Sequence, residues 1–530
     1  MVIAREIQDR QGQGQALNNL GRVLLRTGKT TEATQRLIEA IKIWEYLRAR
    51  LNDSFKVSIF QEQARTYRFL QKALAYQNKT DAALEIAERG RSRAFLELLA
   101  THLSSVATPK LPSIEQIQQI AKAQNATLVE YSIIDDDFQI KGKQQTRESE
   151  LFIWVVKPTG EVTFRRVDLK PLWQQHNSSL ANLSVNIRDC IGERRMSDSC
   201  IELFINKQSL QQFHQRLKLD CSGVKRGTMG FSCGPTIDKD RADIYYLQQL
   251  HQLLIKPIAD LLPTDPKADV VFIPEQSLSL VPFVALQDAE GKYLIEKHTI
   301  RTSPSMHVLD LTHRQAQEVR GLAKDILIVG NPTMPKVSFR LGEPPQQLNP
   351  LPAAEKEART VAAIFNIQAI TGNQASKAAV VKQMLKAKFI HLATHSFADD
   401  FKRLGIPGVI ALAPSGRDDG WLTASEIQDL KLSAELVVLS SCDSGGGKIT
   451  GDGIIGLSRS FIIARVPSMI VALWAIEDQS TADLMIEFYR NLQHNPDKAQ
   501  ALRLAMLSMV ANPRYKPRDW AAFTLIGEGQ

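Results

Sequence analysis

Two short stretches near the C-terminus carry the residue types that thiol chemistry needs. Phe389-Ile-His-Leu-Ala-Thr-His395-Ser396 and Glu435-Leu-Val-Val-Leu-Ser-Ser-Cys442-Asp-Ser-Gly-Gly-Gly447 each place a histidine or a cysteine just past an apolar, β-branched run. Such runs read as buried parallel strands, and residues beyond strand carboxyl ends line the crevice where open α/β sheets bind ligands. A free thiol has a pKa of about 8.5 and is only a few per cent thiolate at neutral pH, so Cys442 needs an imidazole such as His395 to take its proton. Glycines 445 to 447 tolerate positive φ and leave N–H groups open toward a ligand, and the Cys442 amide is a candidate oxyanion donor. Alone, a strand-end cysteine or a lone histidine reads as core packing. Both together, on two strands, read as nucleophile and base.

The elements that would carry them alternate. Thr127 to Ile134, Glu150 to Val156 and Glu161 to Phe164 read as strands, the last two joined in a hairpin at Pro158-Thr-Gly160. Ala268 to Pro274, Asp325 to Gly330 and the two site strands alternate with helical segments such as Ala353 to Phe365 and Ala375 to Lys386. That order argues for a mainly parallel sheet flanked by helices. Ile454 to Ile476 approaches membrane-span length but holds Arg459, Arg465 and Pro467, so it reads as a buried helix followed by a buried strand.

The first hundred residues differ, being rich in Ala, Leu, Glu, Arg and Gln at helical period. Leu17, Leu20, Gly21, Leu24, Ala33, Leu37 and Ala40 fall where a tetratricopeptide helix pair needs close crossing, and Tyr67, Leu70, Leu74, Ala83, Ala87 and Gly90 repeat the pattern fifty residues on. Asn78-Lys79-Thr80 echoes Gly28-Lys29-Thr30. The offset exceeds the usual 34 residues, so the helices around Trp44 to Gln63 are expected to be lengthened. The chain is expected to begin in the last helix of an earlier repeat, either as a short array docked on the following domain or as a shortened relative of longer chains, and the repeats read as a surface for a regulatory protein or as a helical cap that steadies the rest. The Ala-Thr-Pro-Lys-Leu-Pro run at 107 to 112 breaks the pattern and marks a boundary.

With these motifs in order the sequence resembles the CHAT proteases of the caspase-like clan, to which separase and the gingipains belong. The separation of 47 positions, 395 to 442, is close to the roughly 50-residue upstream histidine of caspase-type enzymes. The resembling stretches are Ile390 to Ser396, Asp419 to Ile427, Leu436 to Gly445, Val471 to Asp478 and Trp520 to Gly527, and the likeness covers roughly residues 115 to 530. It implies an α/β caspase-like fold of two tandem halves preceded by an all-α tetratricopeptide-like region. The expected division is helical repeats 1–102, linker 103–118, an inactive half 119–320 and a catalytic half 321–530. His307, in the earlier half, lacks a strand-end thiol partner.

The resemblance also implies roles: Cys442 as nucleophile, His395 as general base and then acid, and the backbone N–H groups of Ser396 and Cys442 as the oxyanion hole. Ser396 stands where the family usually has glycine, and Asp443-Ser444 where it has Glu-Thr. A left-handed conformation at Ser396 would cost about 1–2 kcal/mol, and Ser396→Gly is then expected to hold or raise turnover. Related enzymes cleave after arginine using an acid beyond the strand that follows the cysteine. Asp478 occupies that place, with Glu477 the neighbouring alternative, and a carboxylate there pairs bidentately with an arginine fork. The competing role for Asp478 is to cap a helix running from Ser480 to Leu492.

Composition narrows the remaining classes. At 530 residues, 44% hydrophobic and 23% charged, the chain reads as three or four globular units. The first ten residues are too charged for a secretory signal, and a cytoplasmic location without a membrane segment is expected. Cys190, Cys200, Cys221 and Cys233 have long spacings unlike the tight ligand pairs of structural zinc, so they read as reduced thiols and no metal or organic cofactor is expected. The net charge of +8 is spread among acids, with no nucleic-acid motif. The expected activity is a cysteine endopeptidase acting on a protein or peptide substrate after Arg or Lys. The alternatives are a non-proteolytic interaction scaffold and another thiol hydrolase such as an amidase.

Overall fold

The computed structural model describes residues 9–48, 53–102, 113–140, 142–192, 239–338, 344–397, 408–441, 448–450, 453–474 and 478–530. Helices of seven residues or more are α1 (Arg10–Arg26), α2 (Thr30–Arg48), α3 (Asp53–Ala75), α4 (Thr80–His102), α5 (Ile114–Gln124), α6 (Leu180–Gly192), α7 (Lys239–Leu254), α8 (Met306–Val319), α9 (Pro352–Ile364), α10 (Lys377–Met384), α11 (Leu457–Ile463), α12 (Asp478–His494) and α13 (Lys498–Val510). The main sheet is built from β1 (Ala126–Ile140), β2 (Lys143–Val156), β3 (Val162–Asp168), β4 (Asp269–Ile273), β5 (Thr299–Thr302), β6 (Asp325–Pro332), β7 (Ile370–Gly372), β8 (Ala387–Ala393), β9 (Leu436–Leu439), β10 (Ser468–Ala472) and β11 (Phe523–Gly527).

These eleven strands form one sheet, in the order β3-β2-β1-β4-β5-β11-β10-β9-β8-β6-β7. Strands β1, β4, β5 and β11 run parallel to one another, as do β10, β9, β8, β6 and β7, and the two sets meet at the antiparallel β10–β11 pair. The carboxyl ends of the two parallel sets therefore point to opposite ends of the sheet. Period-two alternation puts Leu436 and Val438 of β9 against one apolar layer, with Phe488 and Met506 of α12 and α13, while Val437 and Leu439 face Met384 of α10 and Phe461 of α11. Burial on both faces is why these strands read as continuous apolar runs. Gly330 of β6 lies so close to Ala354 and Ala358 of α9 that a Cβ there would collide with both.

The helical pairs α1–α2 and α3–α4 repeat in atomic detail. Gly28 and Asn78 both adopt positive φ, 77° and 58°, and the following Lys29 and Lys79 amides donate back to Leu24 and Leu74. Gly21 is needed where α1 meets Leu37 of α2, since a Cβ there would lie 2.6 Å from Leu37 Cγ. The expected lengthening is present around Trp44 to Gln63, as α2 has 19 residues and α3 has 23. Leu20 departs from the expected packing and is exposed, whereas Leu17 and Gly21 on the neighbouring face of α1 are buried.

The repeats sit on the body. Glu88 of α4 is buried and accepts from the Met306 and His307 amides, capping α8, and Arg91 donates to the carbonyls of Tyr131, Ile273 and Pro274. These groups lie at and beside the carboxyl ends of β4 and β5. No described helix is long and apolar enough to cross a membrane.

Candidate active site

The carboxyl ends of β6, β8, β9 and β10 share one end of the sheet, and the site is built there. At the end of β6, Asn331 adopts φ 45°, accepts from the Leu351 amide at 2.7 Å and donates to Glu355 at 3.1 Å. Asparagine tolerates this left-handed turn better than most residues. The turn before α9 is thereby fixed, and it carries the Asn349 carbonyl to His395.

His395 follows β8 and is half-buried. Its Nε2 lies 2.9 Å from the Asn349 carbonyl oxygen. A carbonyl only accepts, so the proton sits on Nε2, and in the neutral ring Nδ1 carries the lone pair. The ring also lies near-parallel to Phe397, with centroids 6.4 Å apart, and Phe397 meets Trp421. Thr394, wholly buried, donates to the Ala411 carbonyl at 2.8 Å, and the Ala411 amide donates to the His395 carbonyl at 2.9 Å.

Ser396 and Phe397 pair antiparallel with Val409 and Ile410, which continue to a third strand at Trp421–Thr423. Ser396 is not among the positive-φ residues but lies in this extended ladder. The expected left-handed cost is therefore absent, because serine fits extended backbone without steric penalty. The His395–Ala411 hydrogen bond makes Ser396↔Ile410 a non-hydrogen-bonded pair, so the Ser396 N–H is directed away from that ladder. Its hydroxyl lies 2.8 Å from the hydroxyl of Ser441, the residue preceding Cys442.

Beneath the site, His391 of β8 is fully buried, with Nε2 3.0 Å from Glu357 Oε1 and Nδ1 3.2 Å from the Tyr489 hydroxyl. The Asp418–Thr423 turn is held by Lys377, which contacts Glu426 at 2.7 Å, Asp418 at 3.3 Å and the Trp421 carbonyl at 3.1 Å. Burial opposes the Lys377 charge, but the two carboxylates outweigh it and raise its pKa. Gly420, at φ 81°, leaves no room for a Cβ beside the Leu412 carbonyl.

Cys442 and Glu477 lie outside the described residues, as do Cys200, Cys221 and Cys233; Cys190 falls in α6 without a described side chain. Asp478 opens α12, which starts two residues earlier than the expected Ser480, so it occupies the first turn, where the helix end favours an anion. Trp474, just upstream, is buried and donates to the Arg518 carbonyl at 3.2 Å. Sequence reasoning missed Asn349 and Glu357. A backbone carbonyl leaves no signature in residue type, and Glu357 lies within the helical segment Ala353 to Phe365, where one acidic position carries no distinct signal. Ser441 was in view as part of the cysteine motif, without a role.

Helical hairpin pairs seated on a caspase-like α/β sheet, with a histidine poised at a parallel strand end, define the class. The chain belongs to the CHAT domain family, whose domain matches residues 245–528, more than half of the sequence. It is 25% identical over 617 aligned residues to Tetratricopeptide repeat protein 28 of Mus musculus and to that of Homo sapiens. Each match covers 98% of this chain and 24% of the relative, so the chain spans about a quarter of the length of these curated relatives. Among solved structures it is similar to a chain of the Saccharomyces cerevisiae separase–securin complex, with TM-score 0.50 and 12% identity over 94% of this chain and 37% of that one. At that identity the likeness establishes the fold.

Proposed function

We propose that this chain is a cysteine endopeptidase in which Cys442 is the nucleophile and His395 the general base. The observation that carries the reading is strand register. Strands β8 and β9 are parallel neighbours with a constant offset of 47, Phe389↔Leu436 through Leu392↔Leu439, and the same 47 positions of sequence separate His395 from Cys442, each three residues beyond the last of these pairs. The Ser396–Ser441 hydroxyl contact supports the reading by keeping the two chains adjacent past the strand ends, one residue before Cys442.

In the proposed reaction the Cys442 thiol gives its proton to His395 Nδ1, and the thiolate attacks the scissile carbonyl carbon. The resulting oxyanion is received by the Ser396 and Cys442 N–H groups. The imidazolium returns the proton to the leaving amine as the C–N bond breaks, leaving a thioester. Water, deprotonated by the same ring, then adds to the thioester carbon, and the C–S bond breaks to release the acid as the Cys442 thiolate leaves and takes back the proton from the ring. The Asn349 carbonyl holds the ring in the required tautomer through each transfer. No cofactor enters these steps.

A basic P1 side chain is the proposed specificity, with Asp478 or Glu477 as its partner. Strand β10 runs parallel to β9 and β8, so the chain emerging from it reaches α12 at the same end of the sheet as His395. The division into repeats 1–102, linker 103–118 and halves 119–320 and 321–530 remains part of this proposal, with the repeats as the regulated or targeting region.

The test is cleavage of a mixed-sequence peptide library read by mass spectrometry, then kcat/KM on matched Arg and Leu peptides. Asp478→Asn is expected to lose about 2–4 kcal/mol of transition-state stabilisation on the Arg peptide, with little change in Tm, since Asn and Asp are comparable at helix starts. Unchanged Arg preference with a lowered Tm would assign Asp478 to the helix end. A library left intact would favour the scaffold reading.

A further inference from the structure

The hairpin of β1 and β2 runs beyond the sheet. A register irregularity at Ile134/Asp135 marks where its outer part, residues 135–148, departs, and Asp135, Asp136 and Asp137 lead that part. Three consecutive carboxylates on a strand are self-repelling, so they need cations around them.

Those cations come from the first helix of each repeat pair. Arg68 meets Asp135 at 2.8 Å, Lys72 pairs with Asp136, and Asp137 receives Arg22 of α1 at 2.6 Å and Arg65 at 3.9 Å. Arg65 also donates to Thr146 across the hairpin, and Thr146 donates to Asp137. Nearer the sheet, the Ser132 hydroxyl donates to Gln71 at 2.7 Å. Helix α3 thus reads the strand antiparallel, with 65, 68 and 71 meeting 137, 135 and 132. The contacts are partly sheltered: one side chain of each pair is little exposed, Asp137 at 4%, Lys72 at 9% and Arg68 at 13%, against 25% to 43% for their partners. Pairs partly removed from water are screened less by salt than fully exposed ones. Burial works to raise the Asp137 carboxyl, but Thr146, Arg22 and Arg65 outweigh it and hold it below its ordinary range.

We propose that the α1–α3 face of the repeats is a receptor for an extended acidic peptide segment, filled in this chain by its own Asp135–Asp137 arm. An acidic partner segment gains the face by displacing the arm. The mixture of single-carboxylate pairs with a glutamine–serine contact to a strand fits a peptide better than a phosphate backbone, for which base or sugar contacts would be wanted. Being tethered, the arm competes at an effective concentration on the order of millimolar, so a free peptide binds the unaltered chain weakly.

The experiment uses the full chain and a fluorescein-labelled peptide with the sequence of residues 131–140, followed by fluorescence anisotropy. Asp135→Asn, Asp136→Asn and Asp137→Asn combined should empty the receptor of its charged occupant. The peptide is then expected to bind the triple variant at least about tenfold more tightly than the unaltered chain, and adding Arg68→Glu should remove the gain. Equal affinity for both chains, or a gain that survives Arg68→Glu, would overturn the proposal. So would tighter binding of a short single-stranded RNA than of the peptide, which would assign the face to nucleic acid. If the triple variant does not fold, Asp137→Asn alone carries the test with a gain of about threefold, and no gain would overturn it. None of these readouts depends on peptidase activity.

Discussion

Ser396 is the residue whose meaning changed most between sequence and structure. As a substitution for the family's glycine it suggested stored backbone strain, yet it lies in an extended ladder and its hydroxyl meets Ser441. Glycine there relieves nothing. Ser396→Gly is therefore expected to lose about 1 kcal/mol of stability, through the lost hydrogen bond and the looser unfolded chain, and to lower turnover severalfold instead of raising it. Melting curves and kcat/KM on one peptide check this, and a raised kcat would restore the strain reading. At this scale the sequence revealed side chains with reactive chemistry and hid the backbone. His395 was legible because imidazole after a buried strand is unusual, whereas the Asn349 carbonyl that sets its tautomer could have come from any residue type.

Elements were legible where burial dictated periodicity. Strands β4, β6, β8 and β9 run close to their expected bounds because each is apolar on both faces. Their joining into a single sheet through β11 was not legible, since β5 and β11 meet across more than two hundred residues. A buried polar knot holds that junction. Arg301 of β5 contacts Asp269 at 2.7 Å, the Gly527 carbonyl at 2.9 Å and Glu528 at 3.5 Å, and Glu528 also meets His313 of α8 at 2.7 Å and Gln124 of α5 at 3.1 Å. Burial opposes the Glu528 charge, but His313, Arg301 and Gln124 outweigh it and lower its pKa from 4.5 to about 2. Its contribution is therefore full above about pH 4.5 and is lost as pH falls toward 2. The hydrogen bond to Glu528 raises the His313 pKa from 6.5, so that contribution is full below pH 6.5 and is lost as pH rises through the raised value. The knot should be strongest between these limits. Glu528→Gln is expected to cost about 2–3 kcal/mol near pH 5.5, with its stability curve converging on that of the unaltered chain by about pH 2. Thermal melts from pH 2 to 8 measure this, and a constant difference at every pH would remove Glu528 from the knot.

Across the whole molecule, the repeats and the site occupy opposite ends of one sheet. Arg91 and Glu88 of α4 reach the carboxyl ends of β4 and β5, which point away from His395. A signal received by the described repeats can reach the site through the sheet, through the contact of strands Lys448–Thr450 and Gly453–Ile455 with residues Gln276–Leu280 beside β4, or by delivering a tethered substrate. The periodicity of α1 to α4 announced helical repeats, but their docking uses Glu88 and Arg91 of α4 besides the α1 and α3 contacts to Asp135–Asp137, and charged residue types on helices carry no distinct sequence signal of such burial. Arg91→Met should cost about 2–4 kcal/mol, because three carbonyls lose a charged donor in a buried setting, and repeats and body should still melt in one transition. Differential scanning calorimetry decides between that and two resolved transitions, which would mean that the repeats are an independent unit.

The most direct measurement is peptide cleavage by four forms of the full chain: unaltered, Cys442→Ala, His395→Ala and the double variant. A nucleophile and base acting as a unit predict that each single change abolishes turnover, that the double variant is scarcely slower than either, and that all four share one melting curve. Cleavage retained by correctly folded Cys442→Ala would contradict the dyad and with it the proposed peptidase.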